Sequence, residues 1–180
     1  MHPQKHALRQ NLRIQLRNHA PLAEGKSVQI RQKIIQHPAW NRAKTVALFS
    51  PLRGEPVLTT LCPTPGKQLL YPRVVGSELE WIQVTDPHTQ LLPPQLNRHR
   101  IAEPGGSQRV SIAEADLILV PGLGFSPCGR RLGRGGGYYD RALSGRGAES
   151  LAMGVCFEFQ IVPEIPFEPH DQPLDGLFWA

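Results

Sequence analysis

The sequence has few of the features that mark secreted, membrane-spanning or disulfide-bonded proteins. Its only cysteines are Cys62, Cys128 and Cys156, and no two of them form a C-x-x-C pair. Isolated thiols indicate neither a disulfide framework nor a zinc knuckle, so we expect a cytoplasmic protein. No apolar run approaches the roughly 18 residues of a membrane span. Because the N-terminal region also lacks the apolar core of a signal peptide, we expect no association with membranes.

Long runs of like charge are also absent, although the chain is basic. The net charge is +5 over 180 residues, and it is spread along the sequence. An excess of positive charge suits an anionic ligand such as a nucleoside triphosphate. Nucleic acid is the competing interpretation, but without a run of five or six basic residues we expect no nucleic-acid partner. The length predicts a single domain over residues 1–180.

Glycine and arginine are concentrated in one stretch, around which the rest of the chain is organised. Residues 117–120 are an apolar run ended by proline and glycine, which is typical of a buried strand. Glycines crowd residues 133–137, where the backbone can turn sharply and approach a ligand. Residues 138–143 resemble the first turn of a helix. The arginines around this loop are Arg130, Arg131, Arg134 and Arg141. Strand, loop and helix start together predict an anion site.

This loop does not match the common nucleotide motifs. A dinucleotide fingerprint begun at Gly133 would need glycine where Tyr138 stands, and the Gly-Lys-Ser/Thr of a P-loop is missing here. A flexible surface turn beside solvated arginines is the simpler alternative. It fits poorly, because the loop lies between an apolar strand and a helix start. The residues alone therefore indicate an anion site in an α/β domain.

Two neighbouring segments point to a known family. Pro-Gly-Leu-Gly-Phe at 121–125 and Gly-x-Arg-Leu-Gly-Arg-Gly-x-Gly-Tyr-Tyr-Asp at 129–140 closely resemble the signature of 5-formyltetrahydrofolate cyclo-ligases, also called methenyltetrahydrofolate synthetases. The resemblance implies ATP- and Mg²⁺-dependent cyclisation of 5-formyltetrahydrofolate to 5,10-methenyltetrahydrofolate, by way of a phosphorylated formyl oxygen. Many relatives carry lysine where Gly136 stands. Arg134 is therefore expected to carry more of the phosphate charge.

The resemblance also assigns site residues along the whole chain. The implied ATP contacts are Lys5, Arg9, Arg131, Leu132, Gly133, Arg134, Gly135, Gly136, Gly137, Tyr138 and Tyr139. The implied folate contacts are Glu55, Arg134, Gly135, Gly136, Gly137 and Tyr138. Arg134 and Tyr138 are the implied catalytic residues. Asp140 and Asp171 are the implied ligands of Mg²⁺, which accepts carboxylate oxygens beside phosphates and water.

Other segments carry weaker parts of the pattern. Lys5 and Arg9 match a family pattern on an amphipathic helix over residues 4–19, whereas the next two basic residues, Arg13 and Arg17, are interpreted as a solvated stripe. Residues 101–104 resemble a Gly-Ile-x-Glu-Pro element of the family, with Arg100 in place of the glycine.

The order of elements predicts a three-layer α/β/α domain with a mainly parallel, Rossmann-like sheet. Predicted strands cover 45–49, 68–73, 79–84, 117–120, 150–157 and 176–179, after helices over 4–19 and about 21–36. Residues 85–108 are expected to be irregular. We expect a monomer that binds ATP and 5-formyltetrahydrofolate, which in cells can carry a polyglutamate tail. Two alternatives stay open: another enzyme on the same scaffold, and a non-catalytic module for nucleotide, folate or RNA.

Overall fold

The computed structural model describes residues 3–62, 64–96 and 100–180. The helices are α1 (Pro3–His19), α2 (Ala23–Gln36), α3 (Pro38–Arg42), α4 (Pro87–Gln90) and α5 (Tyr138–Ser144). The strands are β1 (Thr45–Ala47), β2 (Gln68–Val75), β3 (Glu78–Gln83), β4 (Leu91–Leu92), β5 (Glu103–Pro104), β6 (Arg109–Val110), β7 (Leu117–Val120), β8 (Gly124–Phe125), β9 (Arg131–Leu132), β10 (Leu151–Cys156) and β11 (Gly176–Trp179). None of the helices in these ranges is long and apolar enough to cross a bilayer.

The central sheet has seven strands in the order β11-β10-β7-β1-β2-β3-β6. Neighbours from β11 to β2 pair in parallel, whereas β3 pairs antiparallel with both β2 and β6. The chain runs from β1 outward through β2 and returns on the other side of β1 to β7. Open α/β sheets bind ligands outside the carboxyl ends of the strands at such a switch point. The loops after β1 and β7 are therefore the expected edge of a site.

Side chains alternate between the two faces of this sheet, which produces the layers. Leu117 and Leu119 of β7 belong to the core that also contains residues of α2 and α3. Ile118 and Val120 belong to the core on the opposite face, which contains Leu143 of α5. The predicted mainly parallel α/β fold is confirmed. The layer that contains α5 is thin, because this helix has only seven residues.

Helix α1 packs away from these two faces, against the segment that carries the anion motif. Its buried residues Leu12 and Leu16 share a separate cluster with Leu123, Leu132 and Ile165. The N-terminal helix therefore lies directly beside the hairpin formed by β8 and β9, which pair antiparallel.

The short elements differ most from the sequence prediction. Residues 131–132, expected within the glycine loop, form strand β9. The interval 85–108, expected to be irregular, contains α4 and the β4–β5 ladder, although residues 97–99 lie outside the described part. Helix α3 begins immediately at Pro38, since the ring nitrogen Nδ1 of His37 accepts a hydrogen bond from the amide of Ala39. Two-residue strands show no alternation, so their pattern could not be recognised.

Candidate active site

A cavity of about 700 Å³ opens at the carboxyl ends of β1 and β7. Its wall combines the loops after these strands with the glycine-rich loop, the start of α1 and residues 168–171 near the C-terminus. The predicted site residues on this wall are Lys5, Arg9, Glu55, Arg131, Leu132, Gly133, Arg134, Gly135, Gly136, Gly137, Tyr138, Tyr139, Asp140 and Asp171. The fold thus brings every predicted site residue to one place, while their individual roles stay predictions.

A partly buried ion pair joins the loop after β1 to the glycine-rich loop. Glu55 Oε1 accepts from Arg134 Nη2 at 2.6 Å and from Arg134 Nε at 3.0 Å, while its Oε2 accepts from the amide of Leu52 at 2.9 Å. The Glu55 side chain is only 4 % exposed, so its charge depends on these donors. The pair places the predicted folate residue beside the predicted catalytic arginine.

A second pair ties strand β9 to the first turn of α5. Arg131 Nη2 donates to Asp140 Oδ1 at 2.8 Å, and the Arg131 side chain is 4 % exposed. Arg131 Nη1 also donates to the carbonyl of Pro121 at 3.4 Å. The buried Nε of Arg131 has no hydrogen-bond partner among the described residues, which is rare for a donor away from water. This arrangement fixes Asp140 at the cavity wall and supplies positive charge behind it.

A third cluster joins the two ends of the chain. Lys5 Nζ donates to Glu168 Oε2 at 2.7 Å and to Asp171 Oδ2 at 2.6 Å. Burial lowers the pKa of Lys5, but its hydrogen bonds to Asp171 and Glu168 outweigh this and the net pKa is raised. Burial raises the pKa of Asp171, and the bond from Lys5 outweighs it, so that this pKa is lowered. Lys5 therefore keeps both carboxylates ionised.

The carboxylates near this cluster fit a divalent cation. Asp140 Oδ1 lies 3.5 Å from the amide nitrogen of Gln172, the residue after Asp171, so the two predicted ligands approach the same part of the cavity. One ligand atom each from Glu168, His170 and Asp171 lies within 4.8 Å of the others, and among the described residues Asp140 is not part of this group. Carboxylate oxygens suit Mg²⁺. The sequence analysis did not include Glu168, because nothing in the pattern links it to Lys5, 163 positions away.

The glycine-rich loop depends on backbone conformations that favour glycine. Gly135 and Gly137 have φ values of 108° and 69°, in the left-handed region. A Cβ at Gly136 would lie 2.8 Å from ring atoms of Tyr138. The ring of Tyr138 therefore occupies the space that a side chain at 136 would enter.

One wall of the cavity is apolar. Its side chains are Leu52, Pro72, Val74, Leu79 and Ile101. Glu103 supports this wall by accepting from the amide of Val74 at 3.0 Å. The sequence pattern did not single out these residues, because they come from β2, β3 and two loops that meet only in the fold.

Fold and cavity define the class of protein: an α/β domain whose cavity, lined by arginines, glycines, carboxylates and apolar side chains, opens at a sheet switch point. Residues 1–179 match the model of the 5-formyltetrahydrofolate cyclo-ligase family. The chain therefore belongs to the 5-formyltetrahydrofolate cyclo-ligase family, whose members cyclise 5-formyltetrahydrofolate in an ATP-dependent reaction.

Two curated relatives support this assignment along most of the chain. The chain is 32 % identical over 175 residues to a probable 5-formyltetrahydrofolate cyclo-ligase of Schizosaccharomyces pombe, covering 87 % of this chain and 84 % of the relative. It is 30 % identical over 191 residues to the 5-formyltetrahydrofolate cyclo-ligase of Mus musculus, covering 97 % and 93 % of the two chains.

Two solved structures share the fold. The 5,10-methenyltetrahydrofolate synthetase of Aquifex aeolicus aligns with a TM-score of 0.84 at 32 % identity, covering 97 % of this chain and 89 % of that one. A 5,10-methenyltetrahydrofolate synthetase of Mycoplasma pneumoniae aligns with a TM-score of 0.73 at 22 % identity, covering 97 % of each chain. The second similarity concerns the fold alone.

Proposed function

We propose that this chain cyclises 5-formyltetrahydrofolate to 5,10-methenyltetrahydrofolate in the cavity described above, with release of ADP and phosphate. As a member of its family the chain is an ATP-dependent ligase that forms a C–N bond. The observation that carries the site assignment is the 2.6 Å ion pair between Glu55 and Arg134. It joins the residue expected to contact folate to the loop expected to contact ATP.

The reaction requires two reactants to meet in a fixed geometry. The γ-phosphoryl group moves from ATP to the formyl oxygen, which becomes a good leaving group. N10 then attacks the activated carbon and releases its proton to solvent as the ring closes, after which the C–O bond breaks and the oxygen departs with the phosphoryl group as phosphate. Positioning and neutralisation of phosphate charge are the main demands. A protein nucleophile is not needed on this route.

For ATP, the proposal uses the cationic side of the cavity. Arg134, 37 % exposed, can reach the transferred phosphoryl group, while the buried Arg131 adds charge behind Asp140. The other residues proposed to contact ATP are Lys5, Arg9, Leu132, Gly133, Gly135, Gly136, Gly137, Tyr138 and Tyr139. The glycines among these residues would let the loop backbone approach the phosphates closely.

For the folate, the proposal uses the part of the cavity beside Glu55, Tyr138 and the apolar lining. Glu55 and Tyr138 would contact the substrate, and the loop from Arg134 to Gly137 would lie between the two reactants. The apolar wall at Val74 and Leu79 would cover the flat ring system of the folate. Tyr138 is well placed for this role, since its hydroxyl reaches the carbonyl of Gly76 at 3.5 Å across the opening between α5 and the β2–β3 turn.

Asp140 and Asp171 are the residues proposed to hold Mg²⁺. When bound, the ion would neutralise charge on the ATP phosphates. The protein prepares these ligands itself: Arg131 orients Asp140, and Lys5 keeps Asp171 ionised.

The test is an absorbance assay with purified protein, ATP, Mg²⁺ and 5-formyltetrahydrofolate, which follows the near-ultraviolet band of the methenyl product. We expect an ATP-dependent rise that falls by about 100-fold or more in Arg134→Ala, since a preorganised cationic donor contributes on this order. Arg130→Ala is the matched control. Its guanidinium donates to the carbonyl of Ile165 at 3.1 Å outside the cavity, so activity should stay within about twofold of wild type.

The same assay separates the alternatives. A folded protein that binds ATP without forming the methenyl product would contradict the proposal and favour another substrate on this scaffold. An RNA-binding module would show no ATP turnover and a steep salt dependence of binding. The single-domain organisation, the monomeric state, the polyglutamate tail and the cytoplasmic location stay predictions from the sequence.

A further inference from the structure

The glycine-rich loop, here residues 133–137, is the part of the site with the most backbone freedom. Its glycines lack the Cβ that restricts other residues, so ordering the loop costs conformational entropy. Two of them, Gly135 and Gly137, also occupy left-handed conformations. A loop of this kind positions phosphate well only when other groups hold its backbone in place.

Arginines from outside the loop hold its carbonyl oxygens at three points. Arg9 Nε donates to the carbonyl of Gly133 at 3.0 Å. Arg13 Nη2 donates to the carbonyl of Arg134 at 3.2 Å, and Arg141 Nη2 donates to the carbonyl of Gly136 at 2.9 Å. Hydrogen bonds from a charged donor are stronger than those between neutral groups. The loop is therefore fastened on both sides through its own backbone.

The helices that carry these arginines are themselves anchored. Arg13 lies on α1, one residue after the buried Leu12 that packs in the cluster beside the β8–β9 hairpin. Arg141 lies on α5, and its Nε also donates to the carbonyl of Ser77 in the β2–β3 turn at 3.0 Å, while it pairs with Glu78 at 3.3 Å. Each arginine thus connects the loop to a different and independently packed element.

Arg13 and Arg141 differ from the predicted ATP contacts in where they act. Both belong to the described part of the chain, and neither lines the cavity. Their effect on bound phosphate must therefore pass through the loop backbone. Small displacements of positioning groups have large consequences when catalysis depends on the alignment of two reactants.

We infer that Arg13 and Arg141 are positioning residues for phosphoryl transfer, which hold the glycine-rich loop in its ATP-binding shape by its carbonyl oxygens. The inference rests on the proposed function and adds to it. It also changes the interpretation of Arg13, which the sequence placed in a solvated stripe. Arg17, the next residue of that stripe, is exposed, and its side chain makes no hydrogen bond or ion pair with the residues that the structure describes.

Arg17 supplies the matched control, because its loss removes the same charge from the same helix. In Arg13→Ala we expect the KM for ATP to rise about threefold to tenfold, which corresponds to the loss of one exposed hydrogen bond from a charged donor. Arg17→Ala should leave this KM within about 1.5-fold of wild type, because exposed charges without partners contribute little. Both variants should keep the melting temperature of the wild type within a few degrees.

Lysine variants test the geometry. Arg13 uses one nitrogen for its contact, so Arg13→Lys should restore at least half of the lost ATP affinity. Arg141 donates both to the carbonyl of Ser77 and to the carbonyl of Gly136. A single ammonium group cannot reproduce both contacts, so Arg141→Lys should resemble Arg141→Ala. A lower melting temperature with an unchanged KM would show that these arginines are merely structural and would overturn the inference. Equal effects of Arg13→Ala and Arg17→Ala would assign the result to charge alone and also overturn it.

Hydrogen exchange of the free enzyme makes the inference independent of the reaction. Amides of residues 133–137 should exchange at least about threefold faster in Arg13→Ala than in Arg17→Ala or wild type. If wild type forms no methenyl product but this difference is present, the proposed function fails and the loop is still held by Arg13. If the product forms and the exchange rates are equal, the function stands and the positioning role is wrong.

Discussion

At the scale of single residues, Arg100 carries backbone strain at the edge of the cavity. Its φ is 53°, and among the described residues it is the one non-glycine residue with a positive φ. Glycine adopts this left-handed conformation without the steric cost that a side chain brings. A non-glycine residue in this conformation destabilises the fold by about 1–2 kcal/mol. Glycine removes this strain, but its larger unfolded-state entropy costs roughly 0.5–1 kcal/mol of stability.

We therefore expect Arg100→Gly to raise the free energy of unfolding by roughly 0.5–1 kcal/mol, measured by urea denaturation. Arg53→Gly is the control, since Arg53 is also exposed in a loop but has no positive φ. That variant should be destabilised, because the added chain entropy is not offset by relief of strain. If both variants lose stability equally, the strain at Arg100 does not contribute.

At the scale of elements, the contact between α1 and the loop after β1 depends on Gly54. Its φ is 86°, and a Cβ would lie 2.7 Å from the carbonyl oxygen of Leu16 in α1. Gly66 has a similar φ of 77°, but a Cβ there would meet nothing within 4 Å. The two glycines therefore separate the cost of the backbone conformation from the cost of the contact.

We expect Gly66→Ala to lower the free energy of unfolding by about 1–2 kcal/mol and Gly54→Ala by clearly more, in the range of about 3 kcal/mol or above. Because Glu55 follows Gly54 directly, Gly54→Ala should also raise the KM for 5-formyltetrahydrofolate, which Gly66→Ala should leave unchanged. Chemical denaturation and steady-state kinetics measure the two effects. Equal destabilisation in both variants would show that α1 moves away at no cost.

Elements with a repeating pattern were predictable, and those fixed by distant contacts were not. Strand β11 has the predicted bounds, and β2, β3 and β10 lie within two residues of theirs, since each combines an apolar run with a clear turn. Strands β8 and β9 have two residues each and are defined only by their pairing with one another. Helix α3 is not among the predicted elements, because it has only five residues and a proline directly after a helix indicates its end as readily as the start of another.

The site residues divide in the same way: those in a continuous motif were predictable, and those defined by distant contacts were not. A nearly continuous motif made the residues from Arg131 to Asp140 recognisable from sequence alone, and all of them line the cavity. Glu168 could not be recognised, because its importance comes from a contact with Lys5 at the other end of the chain. Arg13 could not be separated from Arg17, since equal spacing on a helix says nothing about which residue lies beside a loop.

At the scale of the whole molecule, the ion pairs of Lys5 close the chain by holding α1 against residues 168–171 near the C-terminus. Asp171 and Glu168 have lowered pKa values, so their contribution to stability is present above their ordinary values of 3.8 and 4.5 and is lost as the pH falls through the folded-state values. Lys5 has a raised pKa, so its contribution is present below its ordinary value of 10.5 and is lost as the pH rises through the folded-state value. Between these limits the cluster contributes a constant stability.

Replacing Lys5 with methionine should remove this contribution to stability. It should therefore also remove part of the stability that the wild type loses at low pH. We expect Lys5→Met to melt at a lower temperature than wild type at pH 7, and the difference to shrink as the pH falls below 3.8, because protonation of Asp171 then removes the same interaction from the wild type. Melting curves in EDTA without nucleotide measure this. Lys67→Met is the control: Lys67 Nζ donates to the carbonyls of Trp40 and Ala43 at 2.6 Å, and carbonyls do not titrate. Its melting difference from wild type should therefore persist at low pH, and a parallel decline in both variants would show that general acid unfolding, and not the Lys5 cluster, sets the pH dependence.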